Sequence, residues 1–270
     1  MSAVAVASLT VPTAAHAAYF IRPYVTYGGS IIDGYVANGP TSGSQQFAND
    51  VQSTVSLDDG TIKTYVGLDG PDLRGQAAGI FGDTLHFTGA PGSIIDLSFA
   101  YDGTITSGPA VNENLFTSVF TNFYVFESGS GAAYDNFSSH PGALISQSSF
   151  TTYRPGIGES LNEVIAGLLS GSFMLNAIGD YDVFVGLSVG AINNGNPGMT
   201  TTDFSNTGTF GVQTAPNVTF TSDSGAAYTD YTAPSVPEPA TWAMMLLGFG
   251  LIGSIMRLGN RTNTRVRYSF

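Results

Sequence analysis

There is no cysteine among these 270 residues. Disulfides and thiol chemistry are excluded, although the compartment stays open, since many exported proteins lack cystine too. Charge is also scarce: Asp, Glu, Lys and Arg make up 10% of the chain, where an ordinary domain carries roughly 25%. Basic charge is scarcer still. Four of the eight basic residues, Arg257, Arg261, Arg265 and Arg267, stand in the last fourteen positions. From Ala18 to Val236, nineteen acidic residues face only Arg22, Lys63, Arg74 and Arg154, a net of −15. Such a body repels nucleic acid and anionic lipid, so no nucleic-acid partner is expected. Histidine is limited to His16, His86 and His140, and tryptophan to Trp242.

What the chain does have is hydrophobic content of 43% and 34 glycines. That is too apolar for disorder and too rich in Gly, Ser and Thr for a helical bundle. The length suffices for a core that needs neither metal nor disulfide.

The two ends differ from the middle. Ala3 to Val11 is a short apolar run, and Ala15-His16-Ala17 has the small-x-small pattern of a signal-peptidase site. Cleavage is expected between Ala17 and Ala18, making residues 1–17 a signal peptide. The usual Lys/Arg region ahead of the apolar run is missing, which predicts a translation start upstream of Met1. Near the other end stands "VPEPATWAMMLLGFGLIGSIMRLGNR", Val236 to Arg261. It contains Gly248-x-Gly250-x-x-Gly253, the letters of a dinucleotide loop. Such a loop must lie between a strand and a helix within a βαβ unit. No strand pattern precedes Gly248, so a cofactor site is rejected. Ala240 to Met256 is instead uncharged. As a helix it would measure about 26 Å, near the short limit for a membrane span. Trp242 suits one interface, and the arginines that follow predict a cytoplasmic tail.

Pro237-Glu238-Pro239, Trp242-Ala243-Met244-Met245, a Gly-Phe-Gly apolar helix and a final arginine cluster occur in that order. Together they resemble the PEP-CTERM sorting signal, of the variety with Trp-Ala-Met-Met. The resemblance covers roughly the last 35 residues. It implies a Gram-negative host that makes exopolysaccharide, and a membrane enzyme, exosortase, that recognises Pro237, Glu238 and Pro239 and removes the helix. The two prolines hold the peptide extended and stop the helix from running back into the body, so the motif stays accessible. It is another enzyme's substrate, not a catalytic site.

The division expected is 1–17 signal peptide, 18–232 body, 233–239 linker with the motif, 240–256 transmembrane helix and 257–270 basic tail. The body reads as strands. Ser53 to Gly70 suggests a hairpin turning at Asp59-Gly60. Ser93 to Thr106 repeats the device, with Asp102-Gly103 as the expected turn. Leu115 to Ser128 and Tyr181 to Ile192 are rich in aromatic and β-branched residues. Thr209 to Gln213 and Asn217 to Ser222 are further strand-like runs. One short helix is expected in "ESLNEVIAGLLSG", where Leu161, Val164, Ile165, Leu168 and Leu169 have helical spacing. Ser160 and Glu163 would form its capping box and Gly171 its end. The fold class is mainly β, an antiparallel sandwich with a jelly roll as one way to connect it.

The body shows no catalytic constellation. Gly186-Leu187-Ser188-Val189-Gly190 has the letters of a nucleophile elbow, but no helix opens after it and no histidine follows His140. His86 and His140 lack the company a zinc site needs. Oxygen-rich turns at Asp58-Asp59-Gly60, Asp69-Gly70-Pro71-Asp72 and "INNGNPG" leave calcium open, although turn chemistry alone explains them. No other cofactor is expected. Glycoside hydrolysis would need two carboxylates about 5–9.5 Å apart. The glutamates to supply them are Glu113, Glu127, Glu159 and Glu163, and Tyr24, Tyr27 or Tyr134 are aromatics able to stack on sugar rings. The resulting expectation is a non-enzymatic exported protein, inner-membrane anchored before processing by an exosortase-type enzyme and signal peptidase. It would then be a structural or adhesive component of the cell surface or exopolysaccharide matrix. The alternative is a carbohydrate-binding module or polysaccharide-active enzyme.

Overall fold

The computed structural model describes residues 19–228 except Asn49, Asp72 and Tyr134, with backbone only at Thr207. These belong to the first of two units, Met1–Tyr231; the second is Thr232–Phe270. The cleavage site at Ala17 and Ala18, the motif Pro237 to Pro239 and the proposed span 240–256 lie outside the described residues.

Fourteen strands form the described body: β1 (Tyr19–Tyr27), β2 (Ser30–Asp33), β3 (Val36–Ala37), β4 (Ser42–Phe47), β5 (Val51–Ser56), β6 (Thr61–Asp69), β7 (Arg74–Thr88), β8 (Ile94–Ser107), β9 (Leu115–Glu127), β10 (Ile145–Tyr153), β11 (Asn162–Met174), β12 (Asp180–Asn193), β13 (Met199–Thr214) and β14 (Thr219–Ser222). They pair antiparallel into two sheets. The first runs β10-β9-β12-β7-β1-β2, with β14 on β7 and β3 on β1; the second runs β11-β8-β13-β6-β5-β4. The inner faces carry alternate apolar residues of each strand, as the pleat requires. Phe81, Phe99, Phe123, Phe204, Phe210 and Tyr181 are almost wholly inaccessible there. The sandwich interior is filled.

The expected hairpin over Ser53 to Gly70 forms as β5 and β6, and Gly60 takes the left-handed conformation (φ 62°) its turn demands. Two other expectations fail. Asp102-Gly103 is not a turn: β8 runs straight through it, with Gly103 opposite Ile165. The glycine serves packing instead, since a Cβ there would meet the Asp203 carbonyl and the Phe204 ring at 2.5 Å. The helix expected from Ser160 to Gly171 is also absent, and no helix occurs among the described residues. Asn162–Met174 is an edge strand paired along its length with β8. Leu169 and Phe173 face the core, while Val164 (82% exposed), Leu168 (52%) and Met174 (71%) face outward. An apolar outer row on an edge strand blurs the period of two into one that mimics a helix. Glu163 therefore caps nothing.

The strand β7 gives the body two poles. Along one side it pairs with β1 from Gly75 to Asp83, and β14 then takes over from Leu85 to Thr88. Tyr19, Asp83 and the segment after β14 thus meet at one pole. Arg74 opens β7 about 30 Å away, nine residues along the strand.

Candidate functional site

At the pole near Asp83 the C-terminal segment of the body is clamped down. Asp83 points into the sandwich and is 4% exposed. Its Oδ1 accepts from the Thr84 N–H at 2.9 Å and the Ser224 N–H at 3.2 Å. Its Oδ2 accepts from the Ser224 and Tyr228 hydroxyls, both at 2.6 Å. Tyr228 is itself buried, edge-on to Phe210 and stacked with Phe81. Burial pushes the Asp83 carboxyl above its ordinary value despite those bonds. Burial, then the Asp83 charge, pushes the Tyr228 hydroxyl well above its own.

On the outer face nearby, His86 is held between two aspartates: Nε2 is 2.7 Å from Asp223 and Nδ1 is 3.0 Å from Asp180. Its bonds to Asp223 and then Asp180 raise its pKa. Asp182, one pleat along from Asp180, accepts from the Thr84 hydroxyl at 2.9 Å. Its own carboxyl is raised by burial. Among the described residues no group of three or more His, Asp or Glu side chains is placed to hold a metal ion. The pattern Asp180-x-Asp182 is a period-two signal for one strand face, but nothing in the sequence brings Asp223 to it.

The other sequence candidates are dispersed. Ser188 lies in mid-strand and receives a bond from Gln76 Nε2 at 2.9 Å. It stands opposite Ala78, eight positions from the pairing of Asp180 with His86, so serine and histidine are about 27 Å apart. His140 packs edge-on to Phe126. The full length of β9, about 40 Å, separates Glu113 from Glu127. Glu127 accepts from Asn176 and Glu159 from the Gly156 N–H. Tyr27 stacks with Phe47 and Tyr24 lies half-buried on the outer face of the first sheet. Tyr134 lies outside the described residues.

The pole near Arg74 carries the open site. A depression of about 270 Å3 is lined by Leu73, Arg74, Glu113, Phe116, Arg154 and Ile192, together with Asn114 and Asn194. The buried Asn193 and Asn196 of "INNGNPG" flank Asn194 and anchor its loop. Asn193 donates to the carbonyls of Leu68, Gly70 and Gly198, and its own oxygen accepts the Thr200 hydroxyl. Asn196 Oδ1 accepts from the Val111 and Asn112 N–H groups at 2.8 and 3.2 Å. These oxygens are occupied in tying three loops together, which is why the segment is rich in asparagine. The Arg154 guanidinium lies 5.2 Å from the centre of the Phe116 ring. A second depression of about 250 Å3 continues over Thr26, Gln76, Ser118 and Gly190, sharing Arg74, Phe116 and Ile192. Beyond it the sheet face presents Phe120 and Phe150 edge to face, with Phe150 66% exposed. Toward the opposite pole that face is covered by the β9–β10 connection, whose Phe137 stacks on Phe184 at 4.9 Å.

The comparisons with known proteins bear on the end of the chain. Residues 235–261 match the family model of the PEP-CTERM protein-sorting motif. The chain carries a PEP-CTERM signal. That signal implies an exported protein, membrane-anchored before it is processed by an exosortase-type enzyme. No curated protein matches the chain. Among solved structures, the carbohydrate-binding module TmCBM61 in complex with beta-1,4-galactotriose aligns over 64% of this chain and 88% of its own, at 8% identity and a TM-score of 0.18. The enzymatically active domain of tailspike protein 4 from bacteriophage CBA120 aligns over 64% of this chain and 19% of its own, at 12% identity and a TM-score of 0.22. Likeness at these TM-scores is too slight to describe a shared fold.

Proposed function

We propose that this protein is a non-catalytic, adhesive or structural component of the cell surface or exopolysaccharide matrix. It is exported with its body on the periplasmic side and released from its inner-membrane anchor at Pro237-Glu238-Pro239. The observation that carries the reading is the PEP-CTERM match at residues 235–261. The filled sandwich agrees with it, and Glu113 and Glu127 lie too far apart to act as a hydrolytic pair.

Intact mass of the protein from its native host, fraction by fraction, tests the proposal. A mature chain beginning at Ala18 and ending at 237–239 in the surface or extracellular fraction is expected. A chain keeping Phe270 in the inner membrane would overturn it.

A further inference from the structure

We propose that the depression at the Arg74 pole binds the carboxylate of a sugar ring, a hexuronate unit of an acidic polysaccharide. The first observation is where the few cations go. Of the four basic residues between Ala18 and Val236, Arg22 is bridged to Asp33, with a 2.8 Å bond from its Nε, and Lys63 lies on the other sheet. Arg74 and Arg154 come from different strands' ends to line one depression. Among the described residues neither forms an ion pair. Two guanidinium groups lining one depression, with Glu113 as the only carboxylate in that lining, leave a net positive charge there that favours an anion. Planar guanidinium forks match a carboxylate in geometry, and stacking on Phe116 steadies one of them with its donors free.

Glu113 sets the charge of that anion. With it, the lining carries two positive charges and one negative. A monoanion is accommodated, while a phosphate of nearly two charges would lie against the glutamate. The same carboxylate is a ready acceptor for hydroxyl donors, which a sugar ring supplies. The adjoining depression extends the match: Thr26, Gln76 and Ser118 offer hydroxyl and amide groups over a glycine floor at Gly190, flanked by the Phe116 ring. That mixture suits the polar edge and apolar face of the next ring. The buried Asn193 and Asn196 tie the loop that carries Asn194 to its neighbours before any ligand arrives, which lowers the entropy lost on binding.

The polysaccharide source rests on the adhesive reading above; the chemistry of the pocket does not. The test is calorimetric titration of the full chain in detergent with a uronate trisaccharide, and with the same trisaccharide after reduction of its carboxyl groups to alcohols. The uronate form should bind at least about tenfold more tightly. Arg74→Gln and Arg154→Gln, both exposed positions, should each weaken it about tenfold, and Lys63→Gln should change nothing. Equal binding of the two trisaccharides, no binding of either, or equal or tighter binding of inorganic phosphate or a glutamate peptide would overturn the inference. A chain that retains Phe270 in its host yet binds the uronate would defeat the sorting proposal and leave the pocket standing.

Discussion

Asp83 is where single atoms matter most. It is buried, ionisable and saturated with donors from the segment that follows β14. Asp83→Ala would leave the Tyr228 hydroxyl and two donors of Ser224 facing an apolar gap. A loss of about 3 kcal/mol in urea unfolding is expected, against about 1 kcal/mol for Tyr228→Phe. The pH response follows from the direction of the shifts. His86 has a raised folded-state pKa, so its contribution is complete below its ordinary value of 6.5 and is lost as pH rises through the folded value. Asp83 and Asp182 are raised too, so their contributions also decline with rising pH, at the lower end of the scale. Asp33, held down by its bond to Arg22, works the other way and loses its contribution in acid. The thermal midpoint should therefore fall as pH rises above about 6.5. His86→Gln should flatten that slope; an unchanged slope would show that Asp180 and Asp223 do not hold an imidazolium.

At the scale of elements, β11 offers the sharpest test. As a helix, its Ser160 would be an N-cap, and Ser160→Ala would cost about 1 kcal/mol. On the strand it precedes, the same change should fall within about 0.5 kcal/mol of zero in chemical denaturation. Gly103→Val should destabilise by about 3 kcal/mol or more, because Phe204 and the Asp203 carbonyl fill the place of a side chain. These two positions also show what was legible beforehand. The strands Leu115–Glu127 and Asp180–Asn193 are written in alternation and β-branching, and the sandwich follows from them. The edge strand was not legible, because an unpaired outer face leaves apolar residues where alternation would put polar ones. Nor was the role of Gly103, since Asp-Gly signals a turn by local preference and only a neighbour from β13 reveals the packing need. The pocket was hidden for a similar reason. Arg74, Glu113 and Arg154 lie 39 and 41 positions apart in sequence, and only the sheet order β10-β9-β12-β7 brings them together. The sorting signal, by contrast, is a linear message read by another enzyme, so it was complete in the sequence.

For the molecule as a whole, the two poles of β7 separate two tasks. The chain leaves the described body beside Asp83, and the depression lies at the Arg74 end. If the processed C-terminus is held at the cell surface and a polysaccharide is bound at the other end, tension runs along the strands. Parallel to strands, a load is shared by every hydrogen bond of a ladder at once; across them, bonds break one after another. The exit point is the weaker part, because β14 pairs over only four residues. Tyr228 and Ser224, locked onto Asp83, lie beyond that short strand and take the strain first. The buried carboxylate thus acts as a knot in a rope: a pull on the C-terminal segment tightens on Asp83 before it reaches β14.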